Sequence, residues 1–122
     1  MKKAFFTLVM MLFVMTAFSQ QIYNVRVSTM ADGMFEQMYG TIKVSGNVVN
    51  GMKDGAWVET HSNTELPHYI IHFKEDKKDG LYLEFDKYAN IIKKIDYKND
   101  VLDGYSYSWN RGGKIASKQG YK

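Results

Sequence analysis

The three histidines are the first residues whose type and spacing suggest chemistry. His68 and His72 are four residues apart, which is a metal-binding spacing on a helix. On a β-strand, four residues span about 13 Å, too far for both side chains to bind one zinc ion. We therefore expect His61, His68 and His72 to be exposed strand residues, and the sequence predicts no metal site.

Two glutamates are the next candidates. Glu59 and Glu84 occupy equivalent positions in two predicted strands, and a pair of carboxylates is a minimal arrangement for acid–base catalysis. Cross-strand ion pairs with Lys74 or Lys94 on a solvated face are the simpler interpretation. We therefore predict no catalytic residues.

The remaining reactive residue types exclude further classes of site. The chain has no cysteine, which excludes disulfides, a thiol nucleophile, thiolate metal sites and the lipid-modified cysteine of a lipoprotein. The glycines are spread along the chain instead of forming a phosphate-binding loop, and no Gly-x-Ser-x-Gly elbow occurs. The sequence predicts neither a cofactor nor an enzyme.

Two aromatic residues suggest binding. Trp57 and Tyr82 alternate with the predicted core positions, so they fall on a mainly polar face with His72 and Lys94. These four residues form the candidate contact face for a partner protein or a glycan. The alternative is that the two aromatics cover neighbouring strands, or line a second core face beneath another element.

A repeated Asp-Gly pair organises the elements that position these residues. The pair occurs at Asp32-Gly33 and again at three anchors, with the glycines 22, 25 and 24 residues apart. Because Gly, and to a lesser extent Asp or Asn, tolerates φ > 0, we predict a compact two-part turn between the strands, in which Asn50-Gly51 and Asn99-Asp100 lie four residues ahead of their Asp-Gly anchors. The predicted structural turn residues are Asp54, Gly55, Asp79, Gly80, Asp103 and Gly104.

Alternating apolar residues flank each anchor. We predict that one face of the sheet carries them as a ladder of core residues. The set comprises Ala56, Val58, Thr60, Ile71, Phe73, Leu81, Leu83, Phe85, Ile95, Tyr97, Tyr105, Tyr107 and Trp109. The predicted fold is all-β: an antiparallel β-meander of about six to eight strands in repeated hairpins, as an elongated single sheet or a partly closed one.

The N-terminal part of the domain, residues 20–45, is a degenerate version of the pattern. We predict a strand from Ile22 to Thr29 and another from Thr41 to Val49. The segment between them is expected to hold a bulge, a short helix or an irregular loop. Its Asp-Gly pair is either a coincidence or a degenerate first repeat.

Residues 1–19 have the layout of a cleaved secretory signal peptide. Lys2 and Lys3 precede an apolar run of 15 residues, and Ala17 and Ser19 are the small residues that a signal peptidase reads. An uncleaved anchor or a first globular helix is the alternative, although a membrane span needs roughly 20 residues. We expect cleavage between Ser19 and Gln20, which leaves a single domain at residues 20–122.

Charge and compartment follow from that cleavage. Without Lys2 and Lys3 the count is 14 Lys and Arg against 13 Asp and Glu, so the net charge falls to +1. A near-neutral domain is expected to bind neither nucleic acid nor a membrane surface. We expect a periplasmic or extracellular protein that is not a lipoprotein.

The repeat resembles the MORN-repeat-variant family, a bacterial branch of which is in part described as antitoxin-like. The resemblance rests on three segments: Asn50 to Trp57, Lys77 to Tyr82 and Asn99 to Tyr105. It covers roughly Gly46 to Lys122, although Ser106 replaces the aromatic residue that the family has two positions after the glycine. The resemblance implies a meander of hairpins with scaffold or binding roles.

The sequence therefore predicts an exported, non-enzymatic binding or structural module that interacts with a protein or another envelope component. Two alternatives remain: a periplasmic immunity or antitoxin-like inhibitor protein, and a small-ligand-binding barrel, which requires a closed sheet around an apolar pocket. Exposed end strands also allow an edge-to-edge homodimer.

Overall fold

The described part of the chain is a single antiparallel sheet. The structure is a computed structural model that describes residues 20–110 and 115–121, so the predicted signal peptide lies outside the described residues. The eight strands pair in the order in which they occur along the chain. They are β1 (Gly33–Tyr39), β2 (Ile42–Val49), β3 (Met52–Thr60), β4 (Pro67–Lys74), β5 (Lys77–Phe85), β6 (Ile91–Lys98), β7 (Val101–Trp109) and β8 (Ile115–Tyr121).

This arrangement confirms the predicted all-β meander and decides between its two forms. The first and last strands are the two edges of the sheet, so the sheet is open. The described strands therefore do not form the closed barrel that the small-ligand hypothesis requires. No helix among the described residues is long and apolar enough to span a membrane.

The chain reverses at two-residue turns, but not at the predicted Asp-Gly pairs. In each of three hairpins both central residues have φ between 50° and 71°, which is typical of a type I′ turn. The turn pairs are Asn50-Gly51, Glu75-Asp76 and Asn99-Asp100. The reversal therefore precedes each Asp-Gly pair by four residues, which confirms the predicted turn formers Asn50-Gly51 and Asn99-Asp100. The prediction that the Asp-Gly pairs are also turn residues is wrong.

The Asp-Gly pairs lie instead in bulges inside β3, β5 and β7. Between β4 and β5, Phe73 pairs with Lys78 and Ile71 with Tyr82, so β5 carries two extra residues around its glycine. Equivalent register shifts occur in the other two repeats. The bulge glycines, Gly55, Gly80 and Gly104, have φ of 73°, 105° and 79°. Asp54, Asp79 and Asp103 precede them within the strands. These six residues are therefore bulge residues.

The register of the strands divides the apolar residues between two faces. Residues directly opposite one another in a sheet share a face. One row comprises Trp57, Ile71, Tyr82, Ile95, Ser106 and Gln119. The row on the other side comprises Val58, Ile70, Leu83, Lys94, Tyr107 and Lys118. The predicted one-face ladder is wrong, because Ile71 and Ile95 lie opposite the side that carries Leu83 and Tyr107.

The N-terminal segment covers the first of these faces, which we call the covered face. It forms a 3₁₀ helix at Gln21–Asn24 and then continues without pairing into the sheet, so the predicted strand from Ile22 to Thr29 is wrong. Its apolar side chains are buried with those of β2 to β5: the core comprises Ile22, Val25, Val27, Val44, Val48, Trp57, Ile71, Phe73 and Tyr82. Burying Ile22 alone is worth roughly 1.5–3 kcal/mol.

The rest of the N-terminal part is more regular than predicted. β1 occupies the segment for which a bulge, a short helix or a loop was expected, and it begins at Gly33. β2 confirms the strand that was predicted between Thr41 and Val49.

The turns of successive hairpins are linked by a repeated backbone clasp. The Asp76 carboxylate accepts a hydrogen bond from the Lys53 backbone N–H at 2.6 Å, and the Asp76 N–H donates to the Lys53 carbonyl at 3.1 Å. Asp100 and Lys78 repeat both contacts, at 2.7 and 2.9 Å. Asp76, in the turn between β4 and β5, is therefore hydrogen-bonded to β3. Asp100, in the turn between β6 and β7, is hydrogen-bonded to β5 in the same way.

Candidate functional site

The four residues of the predicted contact face do not form one surface. Trp57 is 0% exposed and Tyr82 is 7% exposed, and both lie in the core beneath the N-terminal segment. Lys94 lies on the opposite face, in the row with Leu83 and Tyr107. His72 is opposite Ala56, next to the Trp57–Ile71 pair, and therefore also lies on that opposite face. The predicted grouping is therefore wrong, and the alternative that Trp57 and Tyr82 line a second core face beneath another element is confirmed.

The buried Trp57 side chain makes one hydrogen bond and contacts an aromatic ring and a lysine. Its indole Nε1 donates to the Asn47 carbonyl at 3.0 Å, and its ring lies 5.6 Å from the Phe35 ring. The Lys53 ammonium is 5.8 Å from the indole centroid and 5.5 Å from that of Phe73. Burial lowers the pKa of Lys53, while the nearby Asp76 carboxylate opposes that shift and favours the charged form that a ring attracts.

A second lysine repeats this arrangement. Lys78 occupies the position in β5 that Lys53 occupies in β3, and its ammonium lies 4.2 Å from the centroid of Tyr97. Both lysines come two residues before a bulge glycine. Sequence reasoning treated these residues as turn chemistry, although their repeated position beside aromatic strands is a signal of a lysine–ring contact.

A cleft of about 360 Å³ opens on the covered face beside Gln20, where the N-terminal segment begins. Glu59 lines it and is 1% exposed. Its Oε1 accepts a hydrogen bond from the Ile22 N–H at 3.0 Å. Burial raises the pKa of Glu59, while the backbone N–H groups of Ile22 and Gln21 oppose that shift. The sequence predicted a solvated position for this carboxylate, because it assigned Glu59 to the face opposite the predicted core ladder. That assignment of faces is wrong.

The two glutamates that were considered as a carboxylate pair, Glu59 and Glu84, lie apart in the sheet. Tyr69 lies between them in the register, opposite both Glu59 and Glu84, so two strand spacings, about 10 Å, separate their backbones. The ion pairs of the described residues join Lys43 to Glu36 and to Glu65. The expected pairs with Lys74 and Lys94 are not among them.

The prediction that all three histidines are exposed strand residues is wrong, because all three are half-buried and His61 lies in the loop between β3 and β4. His61 and His68 stack with their ring centroids 4.1 Å apart, and His68 also stacks on Tyr69 at 4.0 Å. Burial, together with the neighbouring His61, lowers the pKa of His68 to about 4. Within residues 20–110 and 115–121, no group of three or more His, Asp or Glu side chains could hold a metal ion.

The other face, which we call the open face, has no described segment over it. Its central row runs from Val58 on β3 to Lys118 on β8. Along β7 the rings of Tyr105, Tyr107 and Trp109 follow one another with centroid distances of 6.1 and 5.8 Å. Lys118 lies 4.7 Å from the Tyr105 centroid and 5.5 Å from that of Tyr107. Tyr105 is 51% exposed.

The comparisons with known proteins assign the chain to no family. No protein-family model, no curated protein and no solved structure matches the chain. The resemblance to the MORN-repeat-variant family thus stays a prediction that depends on the repeat residues alone.

Proposed function

We propose that the chain is an exported, non-enzymatic binding module that holds a protein of the cell envelope on its open face. The observation that supports this proposal is the asymmetry of the sheet. Between β2 and β5 the covered face is buried under the chain's own N-terminal segment. The open face presents aliphatic, aromatic and lysine side chains with no described cover.

The composition of the open face suits a protein partner. Leu83 and Tyr107 flank Lys94 in the central row, and Lys118 follows at the edge strand. Large aromatic residues such as Trp109 contribute disproportionately to binding energy when a partner excludes water from them. The lysines between them favour a partner that presents carboxylates beside apolar side chains.

Two groups with raised pKa values, Glu59 and Tyr82, contact the chain's own N-terminal segment. Glu59 accepts a hydrogen bond from the backbone of the N-terminal segment, and the Tyr82 hydroxyl accepts one from the Gln20 amide at 2.6 Å. Burial is the largest cause that raises the pKa of each group. Their contacts serve the chain's own packing, so the proposed function uses neither of them on a substrate.

Export is the second part of the proposal and depends on residues 1–19. A basic start, an apolar run and small residues at positions 17 and 19 support cleavage before Gln20. The near-neutral charge of residues 20–122 supports a protein partner more than an anionic membrane or a nucleic acid.

Recovery of the partner from the envelope fraction tests the docking face. The tagged full chain carries Leu83→Ala with Tyr107→Ala, and the matched control carries Tyr88→Ala, an exposed tyrosine in the loop between β5 and β6. Loss of two central anchors is expected to reduce recovery roughly tenfold or more, with the control unchanged. Full recovery by the double variant, with its thermal midpoint intact, would discard the open face as the docking site.

A further inference from the structure

A buried carboxylate without a counter-charge lies at the N-terminal end of the described chain. Glu59 is 1% exposed, and among residues 20–110 and 115–121 no cationic side chain forms an ion pair with it. Its partners there are backbone N–H groups of the 3₁₀ helix, Ile22 among them at 3.0 Å. An ionised carboxylate at such a site is costly unless a cation approaches.

The start of the N-terminal segment is held next to this carboxylate. Gln20 lines the same cleft as Glu59, and its side-chain amide donates to the Tyr82 hydroxyl at 2.6 Å. Adjacent backbone nitrogens are about 3 Å apart. The Gln20 nitrogen therefore lies about 3 Å from the Gln21 nitrogen, whose hydrogen bond reaches Glu59. That hydrogen bond adds about 3 Å, so the Gln20 nitrogen lies within about 6 Å of the carboxylate, a range in which an opposite charge favours the ionised form.

The backbone of Gln20 is unfavourable while residue 19 remains attached. Its φ is 26°, a value that a residue with a side chain rarely adopts. Cleavage removes the preceding carbonyl group, and with it the steric cost of this angle. The position thus favours a free chain end over a continuing chain.

We propose that removal of the signal peptide creates the missing counter-charge: the α-ammonium of Gln20 enters the cleft and pairs with Glu59. Hydrolysis of the Ser19–Gln20 peptide bond consumes one water and leaves a carboxylate on Ser19 and an amine on Gln20. An α-amine has a pKa near 8, so it is protonated at neutral pH. This proposal depends on the export that is proposed above.

The pair would lock the cover of the sheet. Ile22, Val25 and Val27 lie directly after Gln20 and close the core over Trp57 and Tyr82. After cleavage, an ion pair at Gln20 stabilises the packing of the N-terminal segment on the sheet. The precursor lacks this pair, so its N-terminal segment is held less tightly. Processing and full stability are thereby coupled, and the docking face on the other side of the sheet is not altered.

A matched set of N-termini tests the lock. The full chain is exported and processed in its host, and mass spectrometry establishes the first residue of the product. The comparison chain has one alanine inserted between Ser19 and Gln20, which moves the new α-ammonium one residue away from Glu59. Each chain is also made with Glu59→Gln, which keeps an acceptor for the Ile22 N–H.

We expect the insertion to lower the thermal midpoint by about 4–8 °C when Glu59 is present. It should have no effect in the Glu59→Gln background, and a carboxylate titration should give Glu59 a lower pKa in the processed chain than in the extended one. Equal midpoints overturn the lock, as does a processed chain that Glu59→Gln stabilises at pH 7, because relief of an uncompensated buried charge has that effect.

The same samples separate this proposal from the proposed function. A product that starts at another residue overturns the lock, and so does one whose Gln20 has cyclised with loss of ammonia, because neither carries the α-ammonium of Gln20. Partner recovery by the open face is measured on each chain and is expected to be the same in all of them. Loss of recovery in every chain would count against docking and leave the lock intact.

Discussion

Replacement of Gly46 by alanine is expected to be among the most damaging small changes to this chain. Gly46 lies in β2 directly beneath the Trp57 indole. A Cβ atom there would be 2.0, 2.2 and 2.4 Å from three atoms of the ring, whereas carbon atoms in contact are normally about 3.5–4.0 Å apart. The φ of Gly46 is not in the positive range, so the damage would come from the contact alone.

The ring has no room to move away. It is fully buried between Phe35 and Lys53, and its Nε1 is hydrogen-bonded to the Asn47 carbonyl. A shift of the β2 backbone would cost about 1–3 kcal/mol as overpacking, and expulsion of the indole about 3–5 kcal/mol. We therefore expect Gly46→Ala to lower the free energy of unfolding by about 3 kcal/mol, out of a total of roughly 5–15 kcal/mol.

Urea unfolding followed by far-ultraviolet circular dichroism measures this loss. The midpoint is expected to fall by about 1–3 M. Gly120→Ala is the matched control, because this glycine also lies in a strand and its added Cβ would be 3.2 Å from an atom of the Tyr105 ring. That ring is half-exposed and free to shift, so the control should lose less than about 1 kcal/mol. Equal losses in the two variants would refute the burial of Trp57 against β2.

Two further predictions concern the clasp and the stacked histidines. Asp76→Ala should lower the free energy of unfolding by about 1–2 kcal/mol, measured by urea unfolding, because it leaves the Lys53 N–H without its acceptor, whereas Asp76→Asn should retain most of the stability. The pKa of His68 lies below its unfolded value, so its contribution is present above about pH 6.5 and lost as the pH falls to about 4. After a discount for its partial exposure we expect roughly 1–2 kcal/mol, seen as an acid-induced loss that His68→Phe lacks and that would be equal in both chains if His68 titrated normally.

The repeat made the meander predictable, since turn-forming residues and alternating strands recur at a fixed period. The assignment of faces was not predictable in the same way, because both Trp57 and Val58 belong to apolar rows. The predicted ladder placed Ile71 on the face of Leu83, but a two-residue turn pairs odd-numbered with even-numbered positions, as Ile71 with Tyr82. This holds whether the chain reverses at a pair such as Asn50-Gly51 or at the Asp-Gly pair four residues later. Both pairs are good turn formers, and only the pairing register distinguishes a type I′ turn from a bulge.

The cover of the sheet was hidden for a related reason. Val25 and Val27 alternate as strand residues do, and nothing in the sequence distinguishes pairing at a sheet edge from packing across its surface. Once this segment occupies the covered face, Trp57 and Tyr82 are core residues and the open face is the remaining candidate surface. The binding site predicted around Trp57 and Tyr82 is thus replaced by a proposed site on the opposite face of the same strands.

The central claim, that a partner docks on the open face, is tested most directly by site-specific photo-crosslinking in the intact envelope. Ser106 and Tyr107 are neighbours on β7 whose side chains lie on opposite faces, opposite Ile95 and Lys94 respectively. An aromatic photoreactive residue, which keeps a ring at position 107, is introduced at one position or the other in the full chain. The account predicts a defined crosslinked protein from position 107 and none from position 106. The same product from position 106, with none from position 107, would contradict it.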